Sequence, residues 1–203
     1  MKYKEIYADK ITIKFGVEIG MQTPIAQKNS DYARSEDFDF IIASIHLIDG
    51  EDPYYPHFWD GKKVDDLFKH YFEYTLENLE LFDDYCVLGH LDYLVRYAPK
   101  DNNHSYQAYS EIIDAILNHL ISKDKGLDFN TKPVFANNSS PNPNIEILKR
   151  YKELGGRIIT FGSDAHKPDA VAGAFNKARM MALACGFDEY CTFEKKIPIF
   201  HRL

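Results

Sequence analysis

The chain has 203 residues, 45% of them apolar, which allows one substantial core and excludes a disordered or fibrous protein. Its formal net charge of −7 argues against nucleic acid as a partner, because a phosphate backbone is bound mainly by Lys and Arg. The sequence has neither a bilayer-spanning apolar run nor a secretory leader, and Cys86, Cys185 and Cys191 lack metal-type spacing. We therefore expect one domain, residues 1–203, in the cytoplasm and without a membrane partner.

Strands and helices alternate along the chain. Segments rich in Ile, Val and Phe predict buried strands at residues 11–19, 38–44, 85–89, 126–130 and 157–162. Apolar residues at helical spacing predict helices at residues 64–82, 106–121, 143–154 and 169–184. For the third helix, Asn142 can be the cap, Pro143 suits the first turn, and Gly155 can end it in a left-handed conformation. The alternation indicates an α/β fold with parallel strands joined by crossovers.

Residues able to bind a metal or a phosphate ester lie at the ends of four predicted strands. They are Glu18, His46, His90 and Asp164. Reactive groups of such folds collect at the C-terminal ends of the strands, so we expect these side chains to lie close together. Glu18 also lies in an apolar segment, where an unpaired charge would be costly.

The strongest local signal is the motif GSDAH at residues 162–166, where an apolar strand runs into a turn. Side chains two residues apart can point to one side of the backbone, so Asp164 and His166 can reach one metal cluster. The alternative is that Asp164 caps the next helix and His166 is an exposed histidine.

The motif GHLD at residues 89–92 repeats this arrangement after another strand. His90 can be a metal ligand whose ring is oriented by Asp92, or a core histidine hydrogen-bonded to the same carboxylate. Four such residues at strand ends favour one shared polar cluster over independent accidents. Carboxylates and imidazoles without cysteine suit zinc, manganese or iron(II).

Four motifs together resemble a known family. They are GVEIG at residues 16–20, SIH at 44–46, GHLD at 89–92 and GSDAH at 162–166. In order and rough spacing they are similar to the later metal motifs of the polymerase and histidinol phosphatase (PHP) superfamily. The branch that they resemble most is the histidinol-phosphate phosphatases, and the likeness runs through nearly the whole chain.

This resemblance implies a distorted (β/α)7 TIM-like barrel with two or three divalent ions at the C-terminal ends of its strands. It implies the metal ligands Glu18, His46, His90, Asp164 and His166, with Glu18 as a bridge between ions. It further implies catalytic roles for Asp164, His166 and His90, and hydrolysis of L-histidinol phosphate to L-histidinol and phosphate in histidine biosynthesis. The metal ions would activate a water for in-line attack on phosphorus.

The sequence departs from the family pattern at its start. Family members open with a strand carrying His-x-His, whereas here no histidine precedes His46. We therefore expect an N-terminally incomplete barrel whose strand edges are exposed unless another segment or subunit covers them. Three interpretations stay open: a truncated chain, which we favour, a short protein completed by a partner, and a non-catalytic relative that keeps part of its metal site. A PHP phosphoesterase acting on another small phosphate ester is a further alternative.

A phosphate substrate requires a cation near the strand ends. Arg96 follows the GHLD motif, and Lys132 follows Asn130-Thr131, where the family more often has Asn-Thr-Ser-Gly and a nearby Arg. Each can contact the substrate phosphate or be a solvated surface charge. The remaining histidines are interpreted as structural or exposed: His57, His70, His104, His119 and His201. An aromatic loop after His46, which contains Tyr54, Tyr55, Phe58 and Trp59, either covers the substrate or packs on the barrel.

Overall fold

Five parallel strands form the central sheet. The computed structural model describes residues 2–99, 104–136 and 140–203. The strands are β1 (Gly16–Gly20), β2 (Phe40–Ser44), β3 (Val87–Gly89), β4 (Gly126–Asn130) and β5 (Ile159–Gly162). They pair in the order β1-β2-β3-β4-β5, every pair parallel. Sequential parallel strands need crossover connections, so the predicted α/β class is confirmed. Closure of the sheet into a barrel stays a prediction.

Seven α-helices accompany the sheet in the described part of the chain. They are α1 (Lys2–Ile6), α2 (Ala26–Ser35), α3 (Val64–Leu81), α4 (Ser110–Ser122), α5 (Lys132–Phe135), α6 (Ile145–Glu153) and α7 (Phe175–Ala184). Helix α3 matches its prediction to one residue, because its apolar stripe, which includes the fully buried Phe68 and Phe72, faces the core. None of the helices described is both long enough and apolar enough to cross a membrane.

The sequence prediction missed the short helices α1 and α5 and two larger features, α2 and a hairpin. Helix α2 buries only Ser30 and Ala33, so it has no apolar stripe that could reveal it. The other is an antiparallel hairpin of β6 (Glu189–Glu194) and β7 (Ile197–Arg202). Its turn residues Lys195 and Lys196 both have positive φ, 49° and 65°, and the Asn-Gly type of signal for such a turn is missing.

Several element boundaries also differ from the predictions. Strand β1 begins at Gly16 and not at residue 11, and α7 begins at Phe175 and not at residue 169. The cap of α6 was predicted wrongly: Asn144 is the N-cap, and its side chain accepts a hydrogen bond from the Ile147 N–H at 3.0 Å. Gly155, with φ of 99°, lies beyond the end of the helix, as predicted.

The apolar core lies between the sheet and the helices. Ile41, Leu88, Leu127 and Ile159 come from four neighbouring strands, lie on one face of the sheet by their register, and are at most 1% exposed. Because successive side chains of a strand point to opposite faces of the sheet, the residues that alternate with these four point to the other face. The C-terminal ends of the parallel strands all lie at one edge of the sheet, and the candidate site forms there.

Candidate metal and phosphate site

Three of the predicted residues meet at the C-terminal edge of the sheet. Glu18 lies in β1, His46 follows β2 by two residues, and His90 comes directly after β3. The Glu18 Oε1 atom is 3.3 Å from the His46 Nε2 and 3.2 Å from the His90 Nε2. One potential ligand atom from each residue lies within 4.8 Å of the others. We call Glu18, His46 and His90 the triad.

The electrostatics of the triad fit a divalent cation. Hydrogen bonds with His46 and His90 outweigh partial burial and hold the pKa of Glu18 far below its usual range. Burial lowers the pKa of His90 more than its hydrogen bond with Glu18 raises it, which favours the neutral, metal-binding form of the ring. The buried Nδ1 of His90 has no hydrogen-bond partner among the described residues. A carboxylate with two imidazoles is a donor set typical of zinc and similar ions.

The backbone at two of the candidate ligands is strained. His90 has φ of 27° and Asp164 has φ of 46°, which side chains with a Cβ rarely adopt. Gly89, just before His90, lets β2 and β3 come close, since a Cβ there would collide with the Ser44 side chain. Strain of this kind persists where surrounding structure enforces it and is common at functional sites.

Asp164 and His166 form a second group after β5. The His166 Nε2 lies 3.1 Å from the Asp164 Oδ1, and the His166 side chain is 75% exposed. The other oxygen of Asp164 contacts the Lys132 Nζ at 3.1 Å and the Arg96 Nη1 at 3.4 Å. Burial raises the pKa of Asp164, but Lys132, together with Asn130 and Arg96, more than offsets it, so the pKa is lowered overall.

The five predicted ligands therefore fall into the triad and the Asp164–His166 pair. Within the described residues, only the triad brings three such ligand atoms within 4.8 Å of one another. Arg96 connects the two groups: its guanidinium contacts Asp164 and lies 5.2 Å from the centre of the Tyr93 ring, which is itself 4.7 Å from the centre of the His90 ring. Both Arg96 and Lys132 line a cavity of about 1030 Å³ beside the site. A second cavity of about 580 Å³ involves none of the predicted site residues.

The proposed role of Asp92 needs correction. One of its oxygens accepts a hydrogen bond from the Asn142 Nδ2 at 2.8 Å, and the other accepts one from the Asn144 N–H at 2.9 Å. Among the described residues, the His90 Nε2 pairs with Glu18 and the His90 Nδ1 has no partner, so no hydrogen bond joins Asp92 to His90. Asp92 thus fixes the segment before α6 and does not orient the His90 ring. Burial raises its pKa to about 6.

Sequence reasoning missed the buried polar residues beneath the site. Asp128 in β4 is 4% exposed and accepts a hydrogen bond from the Thr160 hydroxyl at 2.6 Å. Burial, with help from the charges of Glu18 and Asp164, raises the pKa of Asp128 to about 7. A signal was present, since an aspartate in the apolar segment GLDFN needs a partner.

The structure shows packing at one end of the aromatic loop, and a role of the other end in covering the substrate stays a prediction. Phe58 is 1% exposed, and the Trp59 Nε1–H donates to the Pro53 carbonyl at 2.9 Å, so this end packs against the core. Tyr54 is 65% exposed and lies against Tyr97, with 5.7 Å between ring centroids. Of the other histidines, His70 pairs with Asp49: the His70 Nε2 lies 2.7 Å from the Asp49 Oδ2, and neither residue belongs to the triad.

Comparison with known proteins identifies related chains. The family model of the PHP domain matches residues 2–132. A probable histidinol-phosphatase of Clostridium acetobutylicum is 32% identical over 197 residues, which cover 97% of this chain and 76% of the relative. The histidinol-phosphatase of Lactococcus lactis is 33% identical over 189 residues, or 92% of this chain and 70% of the relative.

The fold is also similar to those of solved structures. The crystal structure of the histidinol phosphate phosphatase from Lactococcus lactis, complexed with zinc, L-histidinol and phosphate, superposes with a TM-score of 0.85. It is 31% identical and covers 98% of this chain and 76% of its own. The putative histidinol phosphatase of Listeria monocytogenes, 19% identical with a TM-score of 0.63, shares the fold.

Proposed function

Because the chain belongs to the PHP domain family, we propose that it is a histidinol-phosphatase, a hydrolase that converts L-histidinol phosphate to L-histidinol and inorganic phosphate. The single observation that carries this proposal is the meeting of Glu18, His46 and His90 at the C-terminal edge of the sheet. The relative from Lactococcus lactis, whose crystal structure contains zinc, L-histidinol and phosphate, supports the substrate.

The proposed metal centre uses the triad for one ion and the Asp164–His166 pair for a second. Bound ions of this type supply Lewis acidity and lower the pKa of a water that attacks phosphorus. Zinc is the first choice because the Lactococcus relative binds it, and manganese and iron(II) are tested beside it. The buried His90 ring, 5% exposed, holds its nitrogen in one place. The side chains of His46 and Glu18 are 38% and 42% exposed, which keeps the cluster open to substrate.

Arg96 and Lys132 are the proposed contacts of the substrate phosphate. Their two positive charges meet one carboxylate, Asp164, so the group keeps a net positive charge that suits an anionic phosphoryl group. Asp164 holds both cations beside the triad and so sets where the phosphoryl oxygens bind. The cavity next to them offers space for the alcohol part of the substrate.

The proposal includes a cytoplasmic location. All three cysteines are free thiols and buried, as is typical of proteins in a reducing compartment.

The decisive experiment measures phosphate release by the purified chain after loading with zinc, manganese or iron(II). The substrates are L-histidinol phosphate, p-nitrophenyl phosphate and a dinucleotide. We expect preferred hydrolysis of L-histidinol phosphate. Preferred hydrolysis of another ester would replace the substrate assignment, and metal binding without hydrolysis of any ester would favour a non-catalytic relative.

Variants test whether the site residues serve chemistry. His90→Ala and Asp164→Ala should each lower kcat/KM by at least about a hundredfold while changing urea stability far less. His70→Ala is the matched control, since it removes another histidine paired with a carboxylate, at 2.7 Å from Asp49. Equal losses of activity and stability in the site variants would indicate a structural polar cluster.

A further inference from the structure

The side chain of Arg96 is held in place on three sides. Its Nε–H donates to the Asn142 Oδ1 at 2.8 Å, its Nη1 contacts the Asp164 Oδ2 at 3.4 Å, and its guanidinium lies 5.2 Å from the centre of the Tyr93 ring. The side chain is only 17% exposed. Its Nη2 is buried and has no partner among the described residues. A buried guanidinium donor without an acceptor is costly, so it marks a place where a ligand oxygen completes the arrangement.

The amide of Asn142 has only one possible orientation. Its Nδ2 donates to the Asp92 Oδ1 at 2.8 Å, and Asn142 and Asp92 are 2% and 1% exposed. An amide has donors at one end and an acceptor at the other, so a carboxylate that takes the Nδ2 end directs the Oδ1 end towards Arg96. Asp92 is itself fixed, because its second oxygen accepts the Asn144 N–H at 2.9 Å.

The backbone of Asn142 is tied to the strand that leads into the site. Its N–H and carbonyl pair with Asn130, the last residue of β4, at 3.2 and 2.9 Å. The Asn130 side chain in turn lies 3.4 Å from the same Asp164 oxygen that Arg96 contacts. Asn142 therefore connects the frame of the sheet with the guanidinium.

We propose that Asn142, oriented by Asp92, is a positioning residue that fixes the Arg96 guanidinium so that its free Nη2–H binds an oxygen of a phosphate group. This inference rests on the proposed function for the identity of the substrate, but phosphate binding itself can be tested without turnover. Asn142 does not touch the phosphate; it acts through Arg96.

The test is a double-mutant cycle on the zinc-loaded full chain with inorganic phosphate as the probe. Phosphate affinity is measured by calorimetry for the unmodified chain, Arg96→Ala, Asn142→Ala and the double variant. We expect each single variant to weaken phosphate binding by about tenfold or more, the scale of a charge-assisted hydrogen bond. The double variant should match Arg96→Ala within about twofold, because Asn142 has nothing left to position.

Two further variants separate positioning from folding. Asp92→Asn keeps the size of the side chain but offers the Asn142 amide a donor as well as an acceptor, so we expect weaker phosphate binding in a folded chain. Arg150→Ala removes another arginine that is paired with a carboxylate, Asp114, away from the site, and should leave phosphate affinity unchanged. Circular dichroism and zinc content verify that each variant is folded and loaded.

The possible outcomes lead to different conclusions. Unchanged phosphate affinity in Asn142→Ala, or equal effects of this substitution with and without Arg96, would overturn the positioning role alone. A chain that binds no phosphate would overturn both this inference and the proposed phosphate contacts. A cycle that behaves as expected in a chain without histidinol phosphate turnover would support the positioning role and reject the proposed function.

Discussion

Replacing Gly162 with alanine should strongly destabilise the protein, because the new methyl group has no room. Gly162 is the last residue of β5, and a Cβ built on it would collide with the Asp128 Oδ2 and lie 3.0 Å from its Cγ and Oδ1. Asp128 is 4% exposed, and its Oδ1 accepts the Thr160 hydroxyl at 2.6 Å. This short side chain cannot move to solvent, so the substitution must break that bond or push the strands apart.

The size of the effect follows from these two costs. Overpacking a filled site typically costs about 1–3 kcal/mol. A buried polar group that loses its hydrogen bond costs roughly another 1–3 kcal/mol. We therefore expect Gly162→Ala to lower the free energy of unfolding by about 2–6 kcal/mol. For a chain of this length each kcal/mol corresponds to about 2–4 °C, so the melting temperature should fall by at least about 4 °C.

The assay is urea unfolding in the presence of a chelator, so that metal binding does not contribute. The matched control is Gly20→Ala, at the end of β1, where the nearest atom to an added Cβ is the His46 Nδ1 at an ordinary 3.8 Å. The control should change stability little. In an Asp128→Ala background, Gly162→Ala should cost almost nothing, because the obstacle is gone. A Gly162→Ala chain as stable as the control, or one equally destabilised in both backgrounds, would refute the reasoning.

Two further predictions concern α6 and the buried acid. Asn144→Ala removes the side-chain cap of α6 and should cost about 1 kcal/mol in urea unfolding, whereas Asn118→Ala, on the exposed face of α4, should be neutral or slightly stabilising. No difference between these two variants would contradict the capping role. The pKa of Asp128 rises from 3.8 to about 7 on folding, so the folded chain binds more protons between these values and stability falls as pH rises from about 4 to 7. Asp128→Asn should remove up to about 4 kcal/mol of this fall in stability. The measurement is urea unfolding at pH 4, 5, 6 and 7 in the presence of a chelator. A difference in stability between the variant and the unmodified chain that stays constant with pH would contradict the prediction.

Local sequence patterns were enough to place most of the framework. The helical stripe of α3 and the apolar segment of β4 match their predicted ranges because packing against one core repeats at the period of each element. Polar residues after apolar strands indicated Glu18, His46 and His90, since parallel strands end at one edge of a sheet. Helix α2 was missed because it buries too little to leave a pattern.

Long-range contacts could not be predicted in this way. Asp92 is two residues from His90 in sequence, yet it accepts a hydrogen bond from Asn142, fifty residues away. The contacts of Arg96 with Asn142 and of Asp164 with Lys132 likewise join segments that are 46 and 32 residues apart in the chain. The sequence by itself determined which chemical groups end the strands and the order in which the strands occur. Only the tertiary structure decided which groups meet, because loop paths and side-chain orientations depend on the packing of the whole chain and not on the spacing of its residues.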